Sequence, residues 1–510
     1  MCTSTYKTAK QPSSGNTTGD YLPPFITDRR HLSAREIVQD IWVNSLKLPS
    51  ESLVALDILD HDGPVLPSSY RIGIFAQSTI ATSALAASLL YCRRNQLSSL
   101  ARVSVPIKHA AIEFKSERLY TLNNQPPLSS WGAIGGLHKT ADGFIRVHDV
   151  FPNHVSSMLN ILRLPSDTTR EQVATKIANW ASVDLEDKAT AHDRAAAYAL
   201  RSYAQWDELP QSKEIGNKPV LLERLQELPI SKTTPRRQIS GTSSKTCLEG
   251  VRVLEMSRVI AAPVAGKALA AHNADVLWVT SPNLPDLPDL DRDLARGKRT
   301  IQLDIHNEVD KQRLMDLLRT CDVFIQSFRP GSLAAYGLGP EELVRLNPNI
   351  ICANLSAFGP KGPWSGRRGF DSLVQTCSGM NLSEAEHANT GEFTRATPCQ
   401  ALDHASGYLL ASGIMAALYH RDMEGGAWKV DVSLARAMQY LRSLGQYPGT
   451  TGFDCRDYKS QDDLPGEYLE TRETGFGLMT AVKHSATIQG CDVGWREMPK
   501  PLGSDMTEWK

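Results

Sequence analysis

The sequence lacks most of the features that would take it out of ordinary globular behaviour. No apolar run is long enough to cross a bilayer: the longest usable stretch, Tyr408–Tyr419, falls short of the roughly 20 residues a helical span needs. The first 30 residues are rich in Ser, Thr, Lys and Pro and carry no apolar core. They read as a disordered tail (1–30), not a secretory signal. Lys and Arg number 55 against 56 Asp and Glu, a net charge of -1. That balance excludes broad attraction to nucleic acid or to an anionic membrane. Nine cysteines are scattered without a C-x-x-C, which argues against a disulfide framework or a zinc site and fits a reducing, cytoplasmic compartment. There is no P-loop, no G-x-G-x-x-G, no H-E-x-x-H and no G-x-S-x-G. A nicotinamide cofactor is therefore not expected, and no metal ligand set stands out.

What is present is an ordinary soluble composition, 41% apolar and 22% charged, in 510 residues. That length suits two large domains or three of ordinary size. Ser231–Cys247 is polar, carries Pro and Gly, and has no apolar periodicity, so it reads as a linker (231–247) between two halves. After it, strands are predicted at Val251–Met256, Ala274–Thr280, Lys298–Asp304, Cys321–Phe328, Asn349–Ala357 and Trp428–Leu434. Helices alternate with them, including one at Asp371–Met380 and a long Ala/Gly/Ser-rich one at Asp403–Arg421. This alternation predicts an α/β fold: an open parallel sheet with helices on both faces over 248–445. A smaller α+β domain is expected at 116–230, with a strand at Gly143–Val147 and helices at Val155–Arg163, Thr169–Trp180 and Ala191–Tyr203. Residues 446–510 form a closing segment. The stretch Phe75–Ala110, within 31–115, echoes Asp403–Ala437 at Ser78, Leu90, Tyr91 and Arg93, then at Val103, Val105 and Ala110 after a one-residue slip. It reads as a degenerate copy, with Phe75 where the other has Asp403.

Four sites could carry chemistry. Basic clusters at Arg296–Arg299 and at Lys361 with Arg367 and Arg368 suit phosphate, or are solvated loops. Phe328, Arg329, Pro330 and Gly331 end a strand at the edge where open α/β sheets bind ligands, or form an ordinary turn. Asp403 opens the long helix, where a carboxylate is stabilised by the helix dipole. It stays ionised there and acts as a nucleophile, or it is only an N-cap. His404 beside it reads as a structural or surface histidine.

The runs LEGVRVLEMSRVIAAPVAGKALAAHNADVLWVTSP, ARGKRTIQLDI, CDVFIQSFRPGSLAAYGLGPEELVRLNPNIICANLSAFGPKGPW, RRGFDSLVQTCSGM, ALDHASGYLLASGIMAALYHR and WKVDVSLARAM occur in this order. Together they resemble the family III CoA-transferases over about residues 248–440. The resemblance implies a nucleotide-binding-like sheet that takes coenzyme A thioesters as substrates, with no permanent cofactor and no metal. It places the nucleophile at Asp403 and CoA or substrate contacts at Arg258, Lys298, Arg299, Ser327, Phe328, Arg329, Arg368, Phe370 and His404. It implies an acyl-CoA donor, a carboxylic acid acceptor, and a homodimer unless the N-terminal copy replaces part of a partner subunit. Neither nucleic acid nor membrane is an expected partner.

The chain departs from the family pattern in three ways. Phe370 stands where the racemase branch has a histidine, which favours transfer over racemisation because proton exchange at an α-carbon needs two acid/base groups. Ser327 and Thr280 replace an Asn and a Glu common in the family. The small-domain-like run DGFIRVHDVFPNH precedes the catalytic module instead of following it. The expected activity is an acyl-CoA:carboxylate CoA-transferase acting through an aspartyl anhydride and an aspartyl-CoA thioester. The alternatives are an α-methylacyl-CoA-type racemase or a non-catalytic CoA-binding scaffold.

Overall fold

The computed structural model describes residues 21–191, 195–227 and 245–510. Most of the expected tail and linker lie outside the described residues. The elements that build the core and position the site include, in chain order, α1 (Ile72–Arg94), β1 (Phe144–Val147), α2 (Pro152–Leu162) and β2 (Val220–Gln226). The series continues with β3 (Arg252–Met256), α3 (Ala261–Ala271), β4 (Asp275–Thr280), β5 (Arg299–Gln302), α4 (Glu308–Thr320) and β6 (Val323–Gln326). Then come β7 (Ile351–Ser356), α5 (Asp371–Cys377), α6 (Ala401–Glu424) and β8 (Ala427–Ser433).

The main sheet has seven strands in the order β5-β4-β3-β6-β7-β8-β2. Six are parallel, as alternating apolar strands and helices dictate. The seventh, β2, runs antiparallel to β8 and comes from the N-terminal half. The main sheet thus takes one strand from before the expected boundary near residue 230. A correction concerns Ala191–Tyr203: Ala197–Ala199 is a strand, paired with β1 in a small antiparallel sheet, and a helix ends at Ala191. Burial of these small residues between β1 and α5 overrides their helix propensity.

Two long helices form the centre of the core. α6 and α1 pack against each other, so the degenerate copy lies beside the helix it echoes. α1 is long and apolar enough to cross a membrane, which the reading of Tyr408–Tyr419 as the longest stretch misses, but its apolar window is buried inside the protein. The small residues of α6 permit close approach. A Cβ at Gly407 would lie 2.6 Å from the carbonyl of Ala261 on α3, and one at Gly413 would lie 2.5 Å from Val430. The closing segment spreads back over the N-terminal half. Its strand Gly477–Val482 pairs with Thr121–Leu122, and Thr487–Ile488 pairs with Val103–Ser104.

Candidate active site

Three confluent cavities open along the carboxyl ends of the parallel strands, where ligands bind in open α/β sheets. The first, about 260 Å3, is lined by Trp278, Thr280, His306, Phe328 and Tyr336. The second, about 400 Å3, is lined by Arg258, Ser327, Phe328, Arg329, Arg367, Arg368, Phe370 and Asp403. The third, about 330 Å3, is lined by Glu117, Arg118, Trp131, His148, Phe370, Asp371 and Asp403. Val259, in the β3–α3 turn, borders all three. Its φ of 70° is unusual for a β-branched residue, and such backbone strain clusters at functional sites. Asp403 and Phe370 stand where the second and third cavities meet.

Asp403 occupies the third position of α6, and the N-cap is Gln400, which makes no side-chain cap. The capping is done from another helix. The carboxylate of Asp371, first residue of α5, accepts the amide N–H of Leu402 at 2.8 Å and of Asp403 at 3.0 Å. The N-cap reading of Asp403 is thus replaced by Asp371, and the first amides of α6 are occupied. The expectation that Asp403 stays ionised is also corrected. Burial, then the neighbouring charges of Asp371 and Glu117, push its carboxyl well above the usual range, against Arg118. Burial likewise pushes Asp371 up to about 6, against the hydrogen bonds from Asp403, Gln375 and Leu402. Burial works against the charge of Glu117, but His404 and Arg118 outweigh it and hold that carboxyl low.

The residues marked from sequence divide into two groups. Arg258, Ser327, Phe328, Arg329, Arg368, Phe370 and Asp403 are brought together around the second cavity. Lys298, Arg299 and His404 are not. The ammonium of Lys298 is buried in an ion pair with Glu255 at 2.9 Å and donates to the carbonyl of Pro263 at 2.8 Å. Arg299 makes a bidentate pair with Asp275 on the adjacent strand, at 2.8 and 2.9 Å. His404 turns inward to Glu117, Nε2 to Oε2 2.9 Å. Arg296 pairs with Asp293 at 2.7 Å under Trp495. This basic cluster is internal scaffolding, because both halves of each pair must be neutralised once buried.

Four site residues escape the sequence reading. Asp371 follows Phe370 directly but reads only as a helix start. Arg118 and the pair His148 and His154 come from the N-terminal half, and the histidines lie in the quoted run DGFIRVHDVFPNH. Their Nδ1 atoms are 3.4 Å apart, and His148 stacks flat on Phe370 with ring centres 3.7 Å apart. Burial and the positive charges of Arg368 and Arg258 lower His154 to about 4. Burial, with His154 and Arg146, lowers His148 well below the usual imidazole range. Both are therefore neutral at physiological pH. His148 borders the third cavity and His154 the second.

Residues 248–462 match the model of CoA-transferase family III. The chain is 29% identical over 338 residues to an acetyl-coenzyme A transferase of Hypoxylon pulicicidum, covering 63% of this chain and 56% of that protein. It is 36% identical over 200 residues to a probable fatty acyl-CoA transferase of Mycobacterium tuberculosis, covering 37% of this chain and 50% of that one. It is 32% identical over 206 residues to a formyl-CoA:oxalate CoA-transferase of Streptomyces coelicolor, covering 38% and 49%. The chain thus spans about half the length of the curated relatives it matches.

Proposed function

We propose, from the match of residues 248–462 to the model of CoA-transferase family III, that the chain transfers CoA from an acyl-CoA donor to a carboxylic acid, with Asp403 as covalent nucleophile. The observation that carries this reading is the position of Asp403. It is a buried carboxyl at the junction of an arginine-lined cavity and a largely apolar, aromatic one. The first two cavities suit the nucleotide and phosphates of a CoA thioester. Arg258, Arg329 and Arg368 offer charge, and the uncapped start of α3 at Ile260–Ala262 offers amide N–H groups. The third suits the acid.

Ionised Asp403 attacks the thioester carbonyl, the C–S bond breaks, and CoA leaves as thiolate while an acyl-aspartyl anhydride forms. The thiolate then attacks the aspartyl carbonyl, releasing the first acid as carboxylate and leaving an aspartyl-CoA thioester. The acceptor carboxylate attacks that thioester, re-forming an anhydride and the thiolate. Attack of the thiolate on the acceptor's carbonyl gives the new acyl-CoA and frees Asp403. No proton is gained or lost over the cycle. Asp403 must lose its proton before the first attack, so its raised affinity for a proton sets an acid limb on the rate. The amides of Leu402 and Asp403 already serve Asp371, so the oxyanion donors of this reading are the first-turn amides of α3.

The test is CoA exchange between acyl-CoA and a panel of acids, followed chromatographically. Asp403→Asn is expected to lose at least about a thousandfold in kcat with CoA binding retained. Turnover by that variant at the parental rate refutes the reading. One observation favours a second reading, α-proton exchange: the neutral imidazole of His148 packs on Phe370, at the position where sequence alone leaves no acid/base group. Deuterium uptake at the α-carbon of a bound acyl-CoA, lost in His148→Gln, would support it over transfer.

A further inference from the structure

The third cavity is walled by a loop that the chemistry at Asp403 does not explain. Trp131 stands at its mouth, 44% exposed, with its ring edge-on to His148 at 5.6 Å. His148 in turn lies flat on Phe370, so three rings follow one another from the mouth towards Asp403. The indole's exposed part leaves ring surface for a ligand to cover, provided the loop that carries it is held in place. The chain holds it. Buried Asp149 accepts the amide N–H of Gly132 at 3.1 Å, of Ile134 at 2.9 Å and of Gly135 at 2.5 Å. A Cβ at Gly135 would lie 2.0 Å from Asp149 Oδ1, so this wrap around the carboxylate requires glycine. The amide of Leu128 donates to Asp289 Oδ1 at 3.2 Å, tying the loop to the catalytic module. The wall is preorganised, which lowers the cost of ordering it around a ligand.

Its chemistry is specific. Pro127, Leu128, Val150 and Leu290 add apolar surface beside the rings. Arg118 is the sole arginine or lysine lining the cavity, and it stands at the Asp403 end. The volume, about 330 Å3, is near the lower limit of roughly 300–1,000 Å3 for small-molecule pockets. A long aliphatic chain overflows it, and a small dicarboxylic acid leaves the ring wall wet.

We propose that the third cavity takes a planar aromatic carboxylic acid of one ring system, and that Trp131 is the residue that selects it. This rests on the reading of Asp403 as the group that handles the acid's carbonyl. The ring of the acid stacks on or against the indole, its body replaces water along the apolar wall, and its carboxylate end reaches Arg118 and Asp403. The ionisable groups that line the cavity are Arg118 and the carboxyls Glu117, Asp289, Asp371 and Asp403, and burial keeps His148 in the ring wall neutral.

The test measures binding apart from turnover. Cinnamoyl-CoA, benzoyl-CoA, hexanoyl-CoA and palmitoyl-CoA are titrated calorimetrically into the full chain carrying Asp403→Asn, with and without Trp131→Ala or Trp131→Phe. The aryl thioesters are expected to bind at least about tenfold tighter than hexanoyl-CoA. Trp131→Ala erases that advantage with hexanoyl-CoA changed less than about twofold, and Trp131→Phe retains most of it. Equal affinities for aryl and linear thioesters, or an equal loss for both in Trp131→Ala, overturn the inference. The two readings fail separately in the parent chain. Aryl preference in binding with no CoA transfer to any acid upholds the pocket and sinks the transferase. Transfer among linear acids without aryl preference upholds the transferase and sinks the pocket.

Discussion

Replacing Asp371 by Asn removes a charge and keeps a shape, and so separates the two effects this residue has on Asp403. The carboxylate holds the start of α6 through the amides of Leu402 and Asp403. Its charge also opposes ionisation of Asp403. Like charges on adjacent carboxyls repel by about 3 kcal/mol at an effective dielectric of about 20. Relief of even half of that raises the ionised fraction of Asp403 by about tenfold where Asp371 is charged and Asp403 is below its midpoint. The asparagine oxygen still accepts an N–H, so the helix start persists at a cost of about 1–2 kcal/mol. The pH profile of kcat/KM for CoA transfer is the assay. In the parent the two carboxyls titrate as a pair, so the acid limb is spread over two steps. In Asp371→Asn it is expected to become a single step displaced to lower pH, with the variant faster than the parent above about pH 6, where Asp371 carries its charge, and equal to it further into acid. A limb that stays in place or moves to higher pH, in a folded variant, refutes the electrostatic account of the site.

Other consequences can be checked on the same preparations. Because folding raises the carboxyl of Asp403, its contribution to stability falls as pH rises from the ordinary carboxylate range through the raised value. Asp403→Asn should therefore melt above the parent at pH 8, and the gain should shrink towards pH 4; no gain at pH 8 would contradict the burial of an uncompensated carboxyl. Lys298→Met leaves Glu255 buried without its partner and is expected to cost about 3–5 kcal/mol in urea unfolding. Arg368→Ala should instead raise KM for the acyl-CoA by about tenfold at nearly unchanged stability. If Lys298→Met changes KM and not stability, the structural role given to Lys298 is wrong. Gly407→Ala drives a methyl group into the Ala261 carbonyl and Val264, and a loss of about 1–3 kcal/mol is expected from denaturant melts.

The parts of the fold that could be read from sequence are those with one strong local cause. β3, β4, β6, β7 and β8 are short apolar runs because both faces of a parallel strand are buried, and turn residues bound them. β2 was not legible: as an antiparallel edge strand it is half polar, reading VLLERLQ, and its partner lies some 200 residues away. The Ala-rich stretch ending at Tyr203 reads as helix by propensity, yet Ala197–Ala199 completes a sheet. At the site, the helix-start aspartate was legible from its motif, but its ionisation was not, because burial and two neighbouring carboxyls are tertiary facts. Arg296, Lys298 and Arg299 show the opposite failure. A basic residue that binds phosphate and one that neutralises a buried carboxylate look alike in sequence, and only the partners Asp293, Glu255 and Asp275 tell them apart. Trp131, His148 and Arg118 carry no spacing relative to Asp403, since about 250 to 290 residues separate them and only folding brings them to one cavity.

The most direct test of the central claim is peptide mass spectrometry of the chain after incubation with acyl-CoA thioesters and a hydroxylamine quench. The account predicts a CoA, acyl or hydroxamate adduct on the peptide containing Asp403, absent in Asp403→Ala. Turnover of CoA thioesters with that peptide unmodified throughout, or modification at another carboxyl, would contradict it.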